Sequence, residues 1–193
     1  MKKIKWIIIV IAVIAYMCTF VYRYQNTKRL KVQYVEQNSK IEYCGFEYKL
    51  NAKYYSHDEF AKEFNVDTKW LEAFSMGDEF KFIVVERHIT KLNDDANLDA
   101  NFFYYQSLNS KYWNCKPSEE LTYKIQKEGY KEIEKLKTGE STSGYLVYAE
   151  NKKSLCDSVW NDLENTTVFY DFEGYRAKGY EGNYEMKRVR VLN

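Results

Sequence analysis

Apolar and polar positions follow three different rhythms along this chain, and each predicts a different kind of element. The first is the unbroken apolar run in KKIKWIIIVIAVIAYMCTFVYRY, where 17 residues from Trp6 to Tyr22 carry no charge. At 1.5 Å per residue this run is about 25 Å of helix, the short end of what crosses a bilayer. Trp6 stands at one edge and Tyr16, Tyr22 and Tyr24 toward the other, where interfacial aromatics belong. The residues after Ala15, Tyr16-Met17-Cys18-Thr19, are too bulky for a signal-peptide cleavage site. Residues 1–23 are therefore expected to form an uncleaved signal-anchor, crossing a membrane through residues 6–22. Basic residues flank both ends, so charge does not set the orientation. A single early segment ahead of a whole domain predicts a single-pass protein of the cell membrane with its C-terminal domain extracytoplasmic. Residues 24–40 read as a charged stalk.

The second rhythm is period two. In GFEYKLNAKYY, Phe46, Tyr48, Leu50, Ala52 and Tyr54 alternate with Glu47, Lys49, Asn51 and Lys53, which predicts a strand with one buried face. Cys44 continues the same phase and is expected on the buried side. Further strands are expected in EFKFIVVERHIT after Gly77-Asp78, in ANFFYYQSL (100–108), in GYLVYAE (144–150), and in a closing pair formed by NTTVFYDFEGY and NYEMKRVRVLN. EFKFIVV is apolar nearly throughout, as suits a central strand covered on both faces.

The third rhythm is helical. Ser56 followed by Glu59 is a capping box, with Tyr55 and Phe60 in the staple positions around it, so a helix is expected over 57–64. Asp67 is positioned to start another turn or two in DTKWLEAF. SEELTYKIQKEGYKEIEKL after Pro117 fits either helix or irregular structure. The tally predicts a mainly β, antiparallel sandwich with short helical insertions over 41–193.

Composition narrows the function classes. Twenty-nine basic and 28 acidic residues give a net charge of +1, without the basic field that nucleic-acid binding uses. Nineteen Tyr, 11 Phe and four Trp make the chain aromatic-rich, whereas a single Pro and eight Gly exclude linker-like or collagen-like stretches. Outside the anchor the odd set Cys44, Cys115 and Cys156 allows one disulfide at most; Cys115 and Cys156, both in polar irregular stretches, are the expected pair.

Catalytic signatures are absent from the sequence: no G-x-S-x-G, Walker loop, dinucleotide glycine turn or C-x-x-C. His57 lies inside the capping sequence, which accounts for Ser56 and Glu59 without a metal. His88 reads as a strand histidine. Asp94-Asp95-Ala96-Asn97-Leu98-Asp99 lacks the glycine and terminal glutamate of a calcium loop. No cofactor or metal is expected. Arg188 and Arg190 read as the outer face of a strand rather than a ligand site. The aromatics Phe102, Tyr104, Tyr112 and Trp113 are the candidate binding residues, since alternation sends part of the cluster outward and amphipathic aromatics suit interfaces.

The order of these pieces resembles a family. Gly45–Tyr55, Gly77–Thr90, Phe102–Trp113, Thr138–Tyr148 and Tyr184–Leu192 are similar to the strand and turn pattern of uncharacterised immunoglobulin-like, telokin-like extracytoplasmic domains. Such domains are carried by membrane-anchored proteins and lipoproteins of Gram-positive bacteria. The resemblance implies an immunoglobulin-like sandwich and an extracytoplasmic location, and brings no catalytic residues. The expected function is a non-enzymatic, surface-anchored module for a protein or glycan ligand. Two alternatives are a cell-envelope hydrolase with an unrecognised carboxylate pair and an accessory subunit of a neighbouring membrane protein.

Overall fold

The computed structural model describes residues 12–23, 31–96, 106–173 and 185–192. The expected strand at 100–108 lies mostly outside them, as do Phe102 and Tyr104. Within the apolar N-terminal run, residues 12–23 form a helix (α1) that is exposed throughout. Among the described residues no helix is long and apolar enough to cross a membrane; residues 6–11 of the expected span lie outside them.

The rest is mainly β, in two sheets with short helices. One sheet has the order β2-β3-β4-β7, made of Ile41–Tyr43, Phe46–Tyr55, Phe80–Lys91 and Ser141–Asn151. The other has the order β1-β9-β8-β5-β6, made of Lys31–Glu36, Glu185–Leu192, Val168–Glu173, Leu108–Asn109 and Asn114–Cys115. Two sequence expectations change here. Residues 31–36, expected as stalk, are a strand of the second sheet, and they pair with β9 in parallel rather than antiparallel fashion. Val32 and Val35 are half-buried in that strand, an apolar signal outnumbered by the charges around it.

Period two explains the core. Phe46, Tyr48, Leu50 and Ala52 of β3 meet Ile83, Val85 and Ile89 of β4, Leu146 and Tyr148 of β7, and Tyr170, Phe172, Val189 and Val191 from the facing sheet. β4 is covered on its other face too: Phe82 and Val84 pack with Val147 and with residues of the helices. This is the central strand that its continuous apolar run predicted.

α2 (His57–Glu63) and α3 (Thr68–Ser75) interrupt the connection from β3 to β4. Ser56 and Glu59 form the capping box: the carboxylate accepts from Ser56 N at 2.9 Å and from Ser56 Oγ at 2.8 Å. Tyr55 and Phe60 are in edge-on contact, with centroids 6.5 Å apart. Phe60, wholly buried, stacks on Phe82 at 4.4 Å, which fixes the helix layer to the sheet.

Cys44 is not on the inward face of a strand. It has φ 50° and is followed by Gly45 at φ 79°, and Tyr43 pairs directly with Phe46. Two consecutive left-handed residues are what a two-residue hairpin needs; alternation carried across Gly45 hid the turn. A Cβ on Gly45 would lie 2.8 Å from the Ala96 backbone, so close approach as well as φ selects glycine there.

Candidate functional site

β7 is the last strand of its sheet, so one row of its backbone groups needs partners other than a strand. They come from the segment 117–136, the stretch that the sequence left between helix and loop. It contains one short helix, α4 (Glu119–Lys124), capped by Ser118, and a 3-10 turn at Ile133–Lys135. Ser118 N donates to Val147 O at 2.7 Å, and Val147 N donates to Thr122 Oγ1 at 3.0 Å. Gln126 takes both polar groups of Tyr145: Tyr145 N donates to Oε1 at 2.9 Å and Nε2 donates to Tyr145 O at 3.5 Å. Lys131 N donates to Thr142 Oγ1 at 2.9 Å. The Thr122 and Gln126 side chains and the Ser118 main chain thus replace a neighbouring strand along the edge.

The strap wraps around that edge from one face to the other. Leu121 and Ile125 pack into the helix-side cluster, whereas Ile133 and Leu136 belong to the core between the sheets. The passage between these anchors turns at Gly129, φ 76°, where Tyr130 N donates to Lys127 O at 3.1 Å. Lys127 makes an ion pair with Glu86 and lies 4.9 Å from the Tyr145 ring centre. Tyr130 crosses β7 at Gly144. A Cβ on that glycine would come within 2.6 Å of both the Tyr130 ring and Gln126 Oε1. Without a side chain at 144, the strap closes down on the strand.

Under the strap is a cleft of ≈ 370 Å³ lined by Arg87, Pro117, Thr122, Tyr123, Gln126 and Tyr130, with Ile133 and Leu146 deeper and Glu119, Glu132 and Glu134 also on its wall. Its volume falls in the lower part of the range for small-molecule sites. Arg87 shares the inward parity of Ile83, Val85 and Ile89 and is 3 % exposed. Phenols surround it: Tyr170 lies against the guanidinium, and Tyr48, Tyr148 and Tyr130 are within its electrostatic reach. Burial pushes the Tyr170 phenol up to about 12, and the Arg87 charge acts against that rise. The three glutamates are exposed. Arg87 is therefore held deep, and the carboxylates lie outward, Glu132 paired with Lys135 at 2.7 Å.

The residues that the sequence proposed for binding are not brought together here. Tyr112 is 65 % exposed, with Lys111 Nζ 5.0 Å from its ring centre. Trp113, 8 % exposed, belongs to the inter-sheet core, so it packs instead of presenting a surface. Phe102 and Tyr104 lie outside the described residues. Cys115 and Cys156 are both free thiols, so the expected bridge is not formed. Cys115 Sγ is 3.7 Å from Ala149 O, and burial raises its thiol pKa, with the Glu150 carboxylate adding to the rise. Cys156 is exposed and bonds Ser158 at 3.3 Å.

The other sequence candidates have structural partners. Arg188 forms a bidentate pair with Asp171 at 2.7 and 2.8 Å, across the β8–β9 register that sets them side by side. Lys187 donates to Glu42 O at 2.7 Å. His88 bonds Ser143 Oγ at 2.8 Å. Among the described residues no group of three or more His, Cys, Asp or Glu could hold a metal ion.

No protein-family model matches the chain, and no similar protein is found among curated ones. Among solved structures the chain is similar to a functionally unknown protein from Listeria monocytogenes EGD-e. The identity is 11 % and the TM-score 0.48, over 79 % of this chain and 80 % of that one.

Proposed function

We propose that this chain is a membrane-anchored, extracytoplasmic binding module that takes a ligand into the cleft under the 117–136 strap. The cleft carries the reading: it joins a buried cation, two tyrosines and a polar rim in one concave site, the usual form of a small-ligand pocket. The anchor is supported by α1, whose apolar side chains, such as Val13 at 55 % and Ile14 at 57 %, are exposed. A helix apolar all round belongs in a core or a bilayer. Thr19 Oγ1 donates to Ala15 O at 2.8 Å, so the threonine hydroxyl is satisfied inside the helix.

For the domain we retain the immunoglobulin-like sandwich as the fold proposal. Two facing sheets with one shared core support it. The sheet β2-β3-β4-β7 runs in chain order, unlike the A-B-E-D order of immunoglobulin domains, so the likeness is one of layers.

Cys156, exposed and free, makes the location testable. A membrane-impermeant maleimide applied to intact cells should label Cys156, and the intact mass of the extracted chain should include residues 6–22. Labelling only after lysis, or a mature chain beginning beyond Cys18, would overturn the proposal.

A further inference from the structure

We propose that Glu150 and Cys115 form a latch between the two sheets, tight while the carboxyl keeps its proton and loosened when that proton leaves. The latch holds the start of the strap on β7. Its parts come from both sheets. Glu150 lies opposite Lys81 of β4 in register and shares the inward parity of Leu146 and Tyr148; it is 6 % exposed. From the other sheet, β6 brings Cys115 to the edge of β7. There Sγ lies 3.7 Å from Ala149 O, and the thiol is hydrogen-bonded to the Glu150 carboxyl. Pro117 has no N–H to offer, so the chain next meets β7 where Ser118 N donates to Val147 O at 2.7 Å. Two successive edge positions of β7, Ala149 and Val147, are thus held by one short run, 115–118.

The surroundings of Glu150 suit a neutral carboxyl. Its Oε1 is buried and has no hydrogen-bond partner among the described residues. Lys81, across the strands, is committed elsewhere: Nζ donates to Trp160 O at 2.9 Å and lies 4.7 Å from the Trp160 ring centre. Lys152, two positions along the chain, pairs with Glu79 at 2.7 Å. Lys116 meets the Cys115 thiol through its carbonyl, at 3.4 Å. Tyr148, two positions back, donates its hydroxyl to Gln106 O at 2.9 Å. Burial favours the protonated form of the carboxyl and of the thiol alike. Ionising Glu150 in place creates a buried charge without a compensating cation, a costly state that hydration relieves. Cys115 is half-buried whereas Tyr148 is wholly buried, so the seam at Cys115 is the way in for water. Parting that seam frees the 115–118 run.

Amide exchange of the full chain in detergent micelles tests the latch, each rate being divided by its intrinsic chemical rate. Val147 N, which donates to Thr122 Oγ1, reads the strap. Val84, in the covered centre of β4, reads global unfolding. The closed chain holds the Glu150 proton more tightly than the opened chain. Protection from the latch is therefore full below the ordinary carboxylate range and lost as pH rises through the raised value. Between pH 5 and pH 8 Val147 protection should fall by up to tenfold per pH unit, the limit for one proton. In Glu150→Gln it should stay level, and Glu150→Met carries the same comparison if the glutamine variant does not fold. Val147 protection that stays level in the wild type while Val84 declines would overturn the latch, because Glu150 would then be exposed only on global unfolding. A level response at both amides would overturn it too, showing Lys81 turned to neutralise the carboxylate. So would a fall at Val147 that persists in both variants.

Discussion

The sheet β2-β3-β4-β7 is covered in two ways, and they differ in kind. Over its outer face, α2 and α3 form a dry layer: Phe60 stacked on Phe82 at 4.4 Å, Phe64 against Tyr55 at 5.4 Å, Leu71 wholly buried. Around its β7 edge, the strap is buried only at its two ends, by Leu121 and Ile125 and by Ile133 and Leu136, and otherwise meets the strand through hydrogen bonds involving Ser118, Thr122, Gln126 and Lys131. Apolar burial is non-directional and accumulates with area, at about 25 cal/mol per Å². A hydrogen bond that replaces one to water contributes a net of only about 1 kcal/mol. The helix layer should therefore carry stability. The strap should open at lower cost, and it is the strap that encloses the cleft.

The largest expected effect comes from breaking the dry layer. Phe60→Ala should destabilise the domain by about 3–5 kcal/mol, as deleting a buried Phe does, measured by urea unfolding. The strap should keep its hold on β7 in the folded fraction, because Phe60 does not line the cleft. Gly144→Ala attacks the strap. Its methyl needs the space of the Tyr130 ring and Gln126 Oε1, so a cost of about 1–3 kcal/mol is expected, together with faster exchange of the Tyr145 and Val147 amides. A variant that loses stability but keeps those amides protected would show that the strap does not depend on the missing side chain at 144.

Ser56→Ala should cost about 1 kcal/mol through loss of the cap, again with the strap unaffected. Glu150 gives the subtlest effect, a change of slope. It is buried on the inward side of β7, and burial raises its pKa. The folded chain thus holds this proton more tightly than the unfolded chain does. Stability from this group is greatest at low pH and falls as pH rises above the unfolded value of about 4.3. Glu150→Gln should remove that decline; a steeper decline in the variant would contradict the assignment. Denaturant midpoints from pH 4 to pH 8 read it directly.

The dry layer was legible in the sequence because its causes are local. The Ser56–Glu59 spacing starts α2, Asp67 caps α3 by accepting from Lys69 N at 2.9 Å, and period two in 46–54 sets the inner face of β3. The cleft was not legible because its causes are distant. Arg87 stands just beyond an apolar run, and its parity with Ile83, Val85 and Ile89 points inward. Nothing near Gly144 announced that Tyr130 would lie on it, fourteen positions away in sequence. The strap pattern failed to resolve because Leu121 and Ile125 serve one face of the sheet and Ile133 and Leu136 the other. A single period cannot describe a segment that changes sides.

Native-state amide exchange on the full chain tests the contrast most directly. The Tyr145 and Val147 amides, which donate to Gln126 and Thr122 side chains, should exchange by local opening, well before the amides of β4 at Ile83 to Val85. If Tyr145 and Val147 exchange only with global unfolding, at the same free energy as β4, the strap is part of the core and the division between a stabilising layer and a binding edge is wrong.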